Sequence, residues 1–223
     1  TQAIALRNLY LEMSGFFKTD LKVWVGSRMY RGDDMYLLDW WPLDSLNTLG
    51  GGLSWDSRSW QVRAHVGVNR LKDEYNLVRV EVPSTFGADT ITLMERQRMI
   101  ASAKVTWLGH DIAPRLSMKV SLYGEFHWLP AGELRYDDEF LDYFKEFAIE
   151  PNPDLVVEQP ADTGGVIGAQ IGFWGFGTDS HVNIFARYAW GLAAYGEWAV
   201  PWGVALDGTT GGAKEFVIAA SGN

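Results

Sequence analysis

Residues 117–128 read Ser-Met-Lys-Val-Ser-Leu-Tyr-Gly-Glu-Phe-His-Trp, and their alternation decides the fold class. Met118, Val120, Leu122, Gly124, Phe126 and Trp128 fall on one side of an extended chain, and Ser117, Lys119, Ser121, Tyr123, Glu125 and His127 on the other. A period of two is that of a β-strand with one apolar and one polar face. The pattern recurs on either side of this stretch. In 60–69, Trp60, Val62, Ala64, Val66 and Val68 oppose Gln61, Arg63, His65, Gly67 and Asn69. In 180–190, Val182, Ile184, Ala186, Tyr188 and Trp190 oppose His181, Asn183, Phe185, Arg187 and Ala189. Residues 9–13, 22–30 and 99–107 repeat it less cleanly.

Nine strands are expected, near 7–16, 20–31, 48–56, 59–70, 96–109, 115–127, 164–176, 180–191 and 213–222. Their links alternate in length. Short turns fall near 17–20, 56–59, 110–114 and 177–179, and long loops at 32–47, 71–95, 128–163 and 192–212. Short turns at one rim and long loops at the other are the pattern of an outer-membrane β-barrel, whose tilted strands need about 9–11 residues to cross the hydrocarbon. The mid-strand charges Arg63, Lys104, Lys119, Glu125 and Arg187 oppose Trp, Val and Leu, which suits a wet lumen inside and lipid outside. The fold class is therefore all-β, an antiparallel transmembrane barrel with short periplasmic turns and long extracellular loops. A soluble carbohydrate-binding β-sandwich also alternates, and it makes the opposite prediction. Val62, Val66, Val120, Leu122, Val182 and Ile184 would then share a dry core with a second sheet about 10 Å away.

Composition narrows the function classes. The 223-residue chain has a formal net charge of −9, no cysteine, and 14% aromatic residues including 11 Trp. An acidic chain without a basic stripe argues against a nucleic-acid partner. Without cysteine there are no disulfides, thiol nucleophiles or Cys metal sites. No apolar run of about 18 residues marks a transmembrane helix. No signal peptide opens the chain; one is expected in the full-length parent. Bacterial single-chain barrels have even strand numbers, so nine strands are expected to be a segment of a larger barrel, truncated at both ends.

Three stretches carry a family resemblance: Asn-Leu-Tyr-Leu-Glu-Met-Ser at 8–14, Val-Trp-Val-Gly-Ser-Arg-Met-Tyr at 23–30, and Asp-Met-Tyr-Leu-Leu-Asp-Trp-Trp at 34–41. Together they resemble the maltoporin (sugar porin) family over roughly 50 residues, with an echo in Phe-Ala-Arg-Tyr-Ala at 185–189. The resemblance implies a homotrimer of barrels of about 18 strands, of which this chain would hold about half. It also implies a third extracellular loop folded inward as the constriction, an aromatic slide and a polar track. Residues 32–47 would be that loop. Asp34 and Asp39 match its two carboxylates, Tyr36 stands at a histidine position, and Trp41 stands at the tyrosine that pinches the pore. The loop arginine falls on Gly32, with Arg31 one residue away.

The chemistry fits a saccharide, whose ring faces stack on aromatics and whose hydroxyl rim bonds to carboxylates, guanidinium groups and amides. The expected constriction residues are Arg31, Asp34, Tyr36, Asp39 and Trp41. The expected polar track is Arg28, Arg63, Lys119, Glu125 and Arg187, and the expected lumen aromatics are Trp24, Tyr30, Tyr123, Trp174 and Phe185. Bland readings stand beside these. Arg63 and Arg187 can simply neutralise carboxylates. Asp34 and Asp39 can pin the loop to lumen arginines, and Trp174 and Phe185 can pack against a folded-in loop. Trp60, Trp107, Trp128 and Trp190 read as lipid-facing or girdle residues. Catalysis finds little support. The acidic stretch 133–150 reads as a solvated face or short helix, His65, His110, His127 and His181 lack metal-like spacing, and nothing resembles a nucleophile elbow. The reading is of a channel for facilitated diffusion of sugars in the bacterial outer membrane, with no cofactor and with lipid and sugar as partners. The alternatives are a general porin, the soluble sandwich and a barrel enzyme.

Overall fold

The computed structural model describes residues 8–15, 19–29, 47–69, 77–84, 87–94, 96–135, 156–176, 180–194, 209 and 214–222. These form thirteen strands: β1 (Leu9–Ser14), β2 (Leu21–Met29), β3 (Asn47–Asp56), β4 (Trp60–Asn69), β5 (Leu77–Ser84), β6 (Gly87–Met94), β7 (Met99–Ala113), β8 (Leu116–Leu129), β9 (Gly132–Arg135), β10 (Val156–Gln159), β11 (Asp162–Trp174), β12 (His181–Gly191) and β13 (Lys214–Gly222). Nine make one sheet in the order β1-β2-β3-β4-β7-β8-β11-β12-β13, every pair antiparallel. It is a meander: strands next to each other in sequence are next to each other in space, apart from the hairpins β5–β6 and β9–β10 inserted between them. The sheet is open, with β1 and β13 at its edges. No helix among the described residues is long and apolar enough to cross a membrane, which says nothing about crossing by strands.

All nine expected strands are present. The links differ in three places. Within 71–95, read as loop, Leu77–Ser84 and Gly87–Met94 pair as a hairpin. Within 128–163, β8 runs on to Leu129, β9 and β10 pair, and β11 begins at Asp162. The start of the acidic stretch 133–150 is therefore strand, in β9; residues 136–155 lie outside the described residues. The turn expected at 110–114 is shorter: β7 continues to Ala113 through an irregularity between Gly109 and Ala113, and Ala113 pairs with Leu116. Asp111 and Arg115 take positive φ angles of 51° and 62°. Asp111 N–H donates to Ser117 Oγ at 3.2 Å, so the bulge finds a partner for a backbone group that the ladder has lost. The β3–β4 turn closes differently. The Ser57 N–H donates to the Trp60 carbonyl at 2.7 Å, and the Trp60 N–H donates back to Ser57 Oγ at 3.1 Å.

The register puts most polar side chains of the nine strands on one face, with Ser27, Thr163 and Lys214 on the other, and the exposure of the two faces is inverted relative to a soluble sheet. On the apolar face Leu122 is 63% exposed, Val66 64% and Ile184 45%. On the polar face Ser121 and His127 are 0% exposed and Gln170 1%. No second sheet covers Val66, Leu122 or Ile184 among the described residues. An open groove of about 540 Å³ lies on the apolar side where Ala64, Ala103 and Gly124 follow one another across β4, β7 and β8. A sheet that buries hydroxyls and amides while exposing valine and leucine is built for hydrocarbon outside and a polar interior.

Candidate functional site

The expected constriction residues Arg31, Asp34, Tyr36, Asp39 and Trp41, and the expected lumen aromatic Tyr30, lie outside the described residues. Their frame is described. Residues 30–46 leave from β2 and return on its neighbour β3, where Met29 pairs with Asn47 and Arg28 with Thr48. Thr48 Oγ1 donates to the Arg28 carbonyl at 3.2 Å, and Thr48 is 2% exposed, so the two roots are bonded together at the wall.

Beside those roots sits the first cluster on the polar face. The Arg28 guanidinium lies 4.5 Å from the Tyr10 ring centroid and 5.4 Å from that of Trp24, and 3.5 Å from Glu12 Oε2. Tyr10 meets Trp24 edge to face at 6.1 Å, and Trp24 lies 6.1 Å from the His65 ring. Stacking and pairing hold this guanidinium flat against the wall. Trp24 can lie there because its neighbour across the ladder is Gly52; a Cβ at that position would come within 2.6 Å of Trp24 Nε1.

Further round the sheet, Arg63 bonds Asp56 Oδ1 at 2.6 Å and reaches the carbonyls of Trp55 and Val62. His127 Nε2 and Glu125 Oε1 are 2.6 Å apart, both side chains at 0–1% exposure. Arg98 Nη1 approaches His127 Nδ1 at 3.5 Å. An arginine can only donate, which makes Nδ1 the acceptor and leaves the proton on Nε2, facing the carboxylate. Arg187 bonds Glu215 Oε2 at 3.0 Å with its side chain 4% exposed. The Tyr123 hydroxyl donates to the Ala186 carbonyl at 3.3 Å. The stem of Lys119 and the Asn183 amide lie across Gly172, and Trp174 ends β11 at the short-turn rim, half-buried and paired with Ser117 and His181.

Trp24, Tyr123 and Phe185 are 2%, 5% and 1% exposed. As packed, their ring faces belong to the wall. Several polar-face residues were not singled out from the sequence: Tyr10, Glu12, Lys22, Asp56, Gln170 and Glu215. Most pair with or border a residue that was, and only the register reveals the partnership. Gln170, next to the bonded hydroxyls of Thr106 and Ser121 at 2.8 Å, has no hydrogen-bond partner on either amide atom among the described residues.

At the long-loop rim, Arg96 Nη1 donates to the carbonyls of Pro130 and Pro160 at 2.7 Å each and of Gln159 at 3.4 Å. Arg98 reaches Leu192 O at 3.4 Å. Burial draws the Arg96 pKa below the usual guanidinium value, while Asp162 opposes the shift. These two arginines, just ahead of β7, tie the ends of β8, β10 and β12 to one place. Among the described residues no three His, Asp or Glu side chains are grouped to hold a metal ion.

No curated protein and no solved structure matches the chain. A family model does, that of the LamB porin, over residues 1–223. Its members are β-barrel channels of the outer membrane, which is what an inside-out nine-stranded meander is suited to build. By this match, the chain belongs to the LamB porin family, a sugar-porin family of the outer membrane.

Proposed function

We propose that the nine-stranded sheet forms one wall of a passive channel through which saccharides diffuse, with residues 32–47 as the constriction loop. The observation that carries this is the inverted sheet: Leu122 and Val66 exposed, Ser121, His127 and Gln170 buried. In this reading Asp34, Asp39 and Arg31 exchange hydrogen bonds with sugar hydroxyls and Trp41 narrows the passage, while Tyr36 borders it. Arg28, Arg63, Lys119, Glu125 and Arg187 supply a polar wall. The near-complete burial of Trp24, Tyr123 and Phe185 favours a supporting role for them over direct stacking with the solute. The chain catalyses nothing; the solute moves down its own gradient. Contacts must be weak and repeated, because a millimolar site costs only about 4 kcal/mol to leave. The full channel is a homotrimer in this reading.

Single-channel conductance of the complete protein in planar bilayers, with a panel of neutral oligosaccharides, tests it. Sugar-dependent block supports a binding channel; unblocked conductance reduces it to a general porin. Trp41→Ala raises ion conductance and weakens sugar block. If both are unchanged, Trp41 is not at the constriction.

A further inference from the structure

The apolar face of the sheet carries a concave feature that the passage of a solute does not use. It is the open groove of about 540 Å³, floored by the register row Ala64, Ala103 and Gly124. Leu53 on β3 bounds it at one end, and Phe126 and Trp190 wall it toward the other. Elsewhere this face stands proud, with Leu122 63% exposed and Ile218 65%. The groove crosses six strands, from β12 to β3, which is five strand spacings or roughly 24 Å. Trp190 is the last residue but one of β12, at the long-loop rim, whereas Leu53 lies three residues from the short-turn end of β3. The groove therefore descends at a slant from the long-loop rim through an apolar band about 25 Å tall.

Its long-loop end is both rigid and charged. The Trp190 indole lies over Gly165, where a Cβ would run into the ring, and Tyr188 stacks on it with centroids 6.1 Å apart and planes 25° apart. Across the ladder from Trp190 stands Lys214, the first residue of β13. Lys214 is exposed and forms no ion pair among the described residues. Along the registers of the nine-stranded sheet it is the one charged side chain on the apolar face, among the described residues. A lysine at mid-depth in hydrocarbon is costly, but at a rim its ammonium reaches the headgroup level at little cost. A cation at the mouth of an apolar trough is complementary to a molecule with an anionic head and a long apolar tail.

We propose that the groove holds one acyl chain of an anionic lipid from the leaflet on the long-loop side, with the lipid's phosphate at Lys214. The first methylenes then lie against Trp190, whose ring is apolar in body and polar at its N–H, as suits a membrane boundary. The volume agrees. A methylene takes about as much room as a water, ~30 Å³, so the groove accepts a chain of up to roughly 18 carbons. A lipid with the same tails and no net charge fills the groove equally but gains nothing from the ammonium. One lysine at a lipid surface is worth roughly fivefold in binding. The site faces away from the solute path, so the channel reading survives its failure.

Native mass spectrometry of the complete protein tests it, with dioleoylphosphatidylglycerol or dioleoylphosphatidylcholine present in the detergent at equal concentration. The wild type is expected to retain the phosphatidylglycerol roughly fivefold better. Lys214→Gln brings the two lipids to parity, because the tail contacts remain. Gly124→Leu lowers retention of both. A Cβ there meets only the Val166 carbonyl oxygen within 4 Å, at 3.6 Å, so the added side chain fills the groove without moving the wall. Equal retention of the two lipids by the wild type overturns the inference, whether or not either variant folds. A Lys214→Gln protein that keeps the preference also overturns it, as does a folded, conducting Gly124→Leu protein that keeps its lipid. A Gly124→Leu protein that changes its oligomeric state with lipid retention unaltered assigns the groove to a neighbouring copy, and overturns it too.

Discussion

Gly168→Ala is a small change with a large expected effect. Gly168 pairs with Tyr123 on one side and Arg187 on the other, on the polar face. A Cβ built there would sit 2.5 Å from Tyr123 Cζ and its hydroxyl oxygen and 2.6 Å from Cε2. Ordinary contact begins near 3.5 Å, so the ring must lift by about 1 Å. Lifting it breaks the hydroxyl bond to the Ala186 carbonyl and strains a rotamer, together costing roughly 1–3 kcal/mol. Against this, alanine in place of a strand glycine returns roughly 0.5–1 kcal/mol of backbone entropy. The net is a loss of up to about 2.5 kcal/mol, with a mid-range value of about 1. The lifted ring also moves toward the lumen, so conductance of the complete channel falls. The assay is urea unfolding of the membrane-inserted protein paired with single-channel recording, for Gly168→Ala, Tyr123→Ala and the double variant. With Tyr123 already truncated, Gly168→Ala costs nothing or stabilises slightly, because nothing remains to be displaced. A cost that persists in the Tyr123→Ala background refutes the reasoning.

Two further outcomes follow from the bonded pairs. Arg187→Met removes the guanidinium bonded to the Glu215 carboxylate in a nearly covered site and destabilises by roughly 3 kcal/mol, whereas Arg187→Met with Glu215→Leu recovers most of it; urea midpoints of the three proteins check this. Arg96→Gln releases the three carbonyls at the long-loop rim, which shows as faster amide exchange at Ala131, Gly132, Gln159, Ala161 and Asp162 with the middle of β8 unchanged.

Much of this was legible in the sequence, for a local reason. Period-two alternation fixes which residues share a face without any knowledge of neighbours, so 117–128 gives the two faces of β8 by itself, and Arg63, Glu125 and Arg187 fall on the polar side. What alternation cannot supply is register. That Arg63 faces Lys104, or that Glu12 reaches Arg28, depends on pairing between residues far apart in the chain, 41 positions in the first case. The hairpin at Leu77–Ser84 and Gly87–Met94 was read as loop. Its Val78, Val80 and Val82 do alternate with Arg79 and Glu81, but eight residues ending in Pro-Ser fall short of a membrane crossing. Burial of Trp24 and Tyr123 was not legible either, since it depends on glycines across the ladder, Gly52 and Gly168. The proposal of 32–47 as a constriction loop rests on its motif alone, because the stretch has no alternation to read.

The central claim is that Leu122 and its row meet lipid while Ser121 and its row face the polar interior. The chain has no cysteine, so single probes at Leu122→Cys and Ser121→Cys report without background. With the protein in vesicles, a probe at 122 should be quenched by a quencher carried on lipid acyl chains and ignored by a water-soluble one. A probe at 121 should show no acyl-chain quenching. Quenching of 122 from the water phase, or shielding of 122 from lipid while 121 is reached by it, would contradict the account.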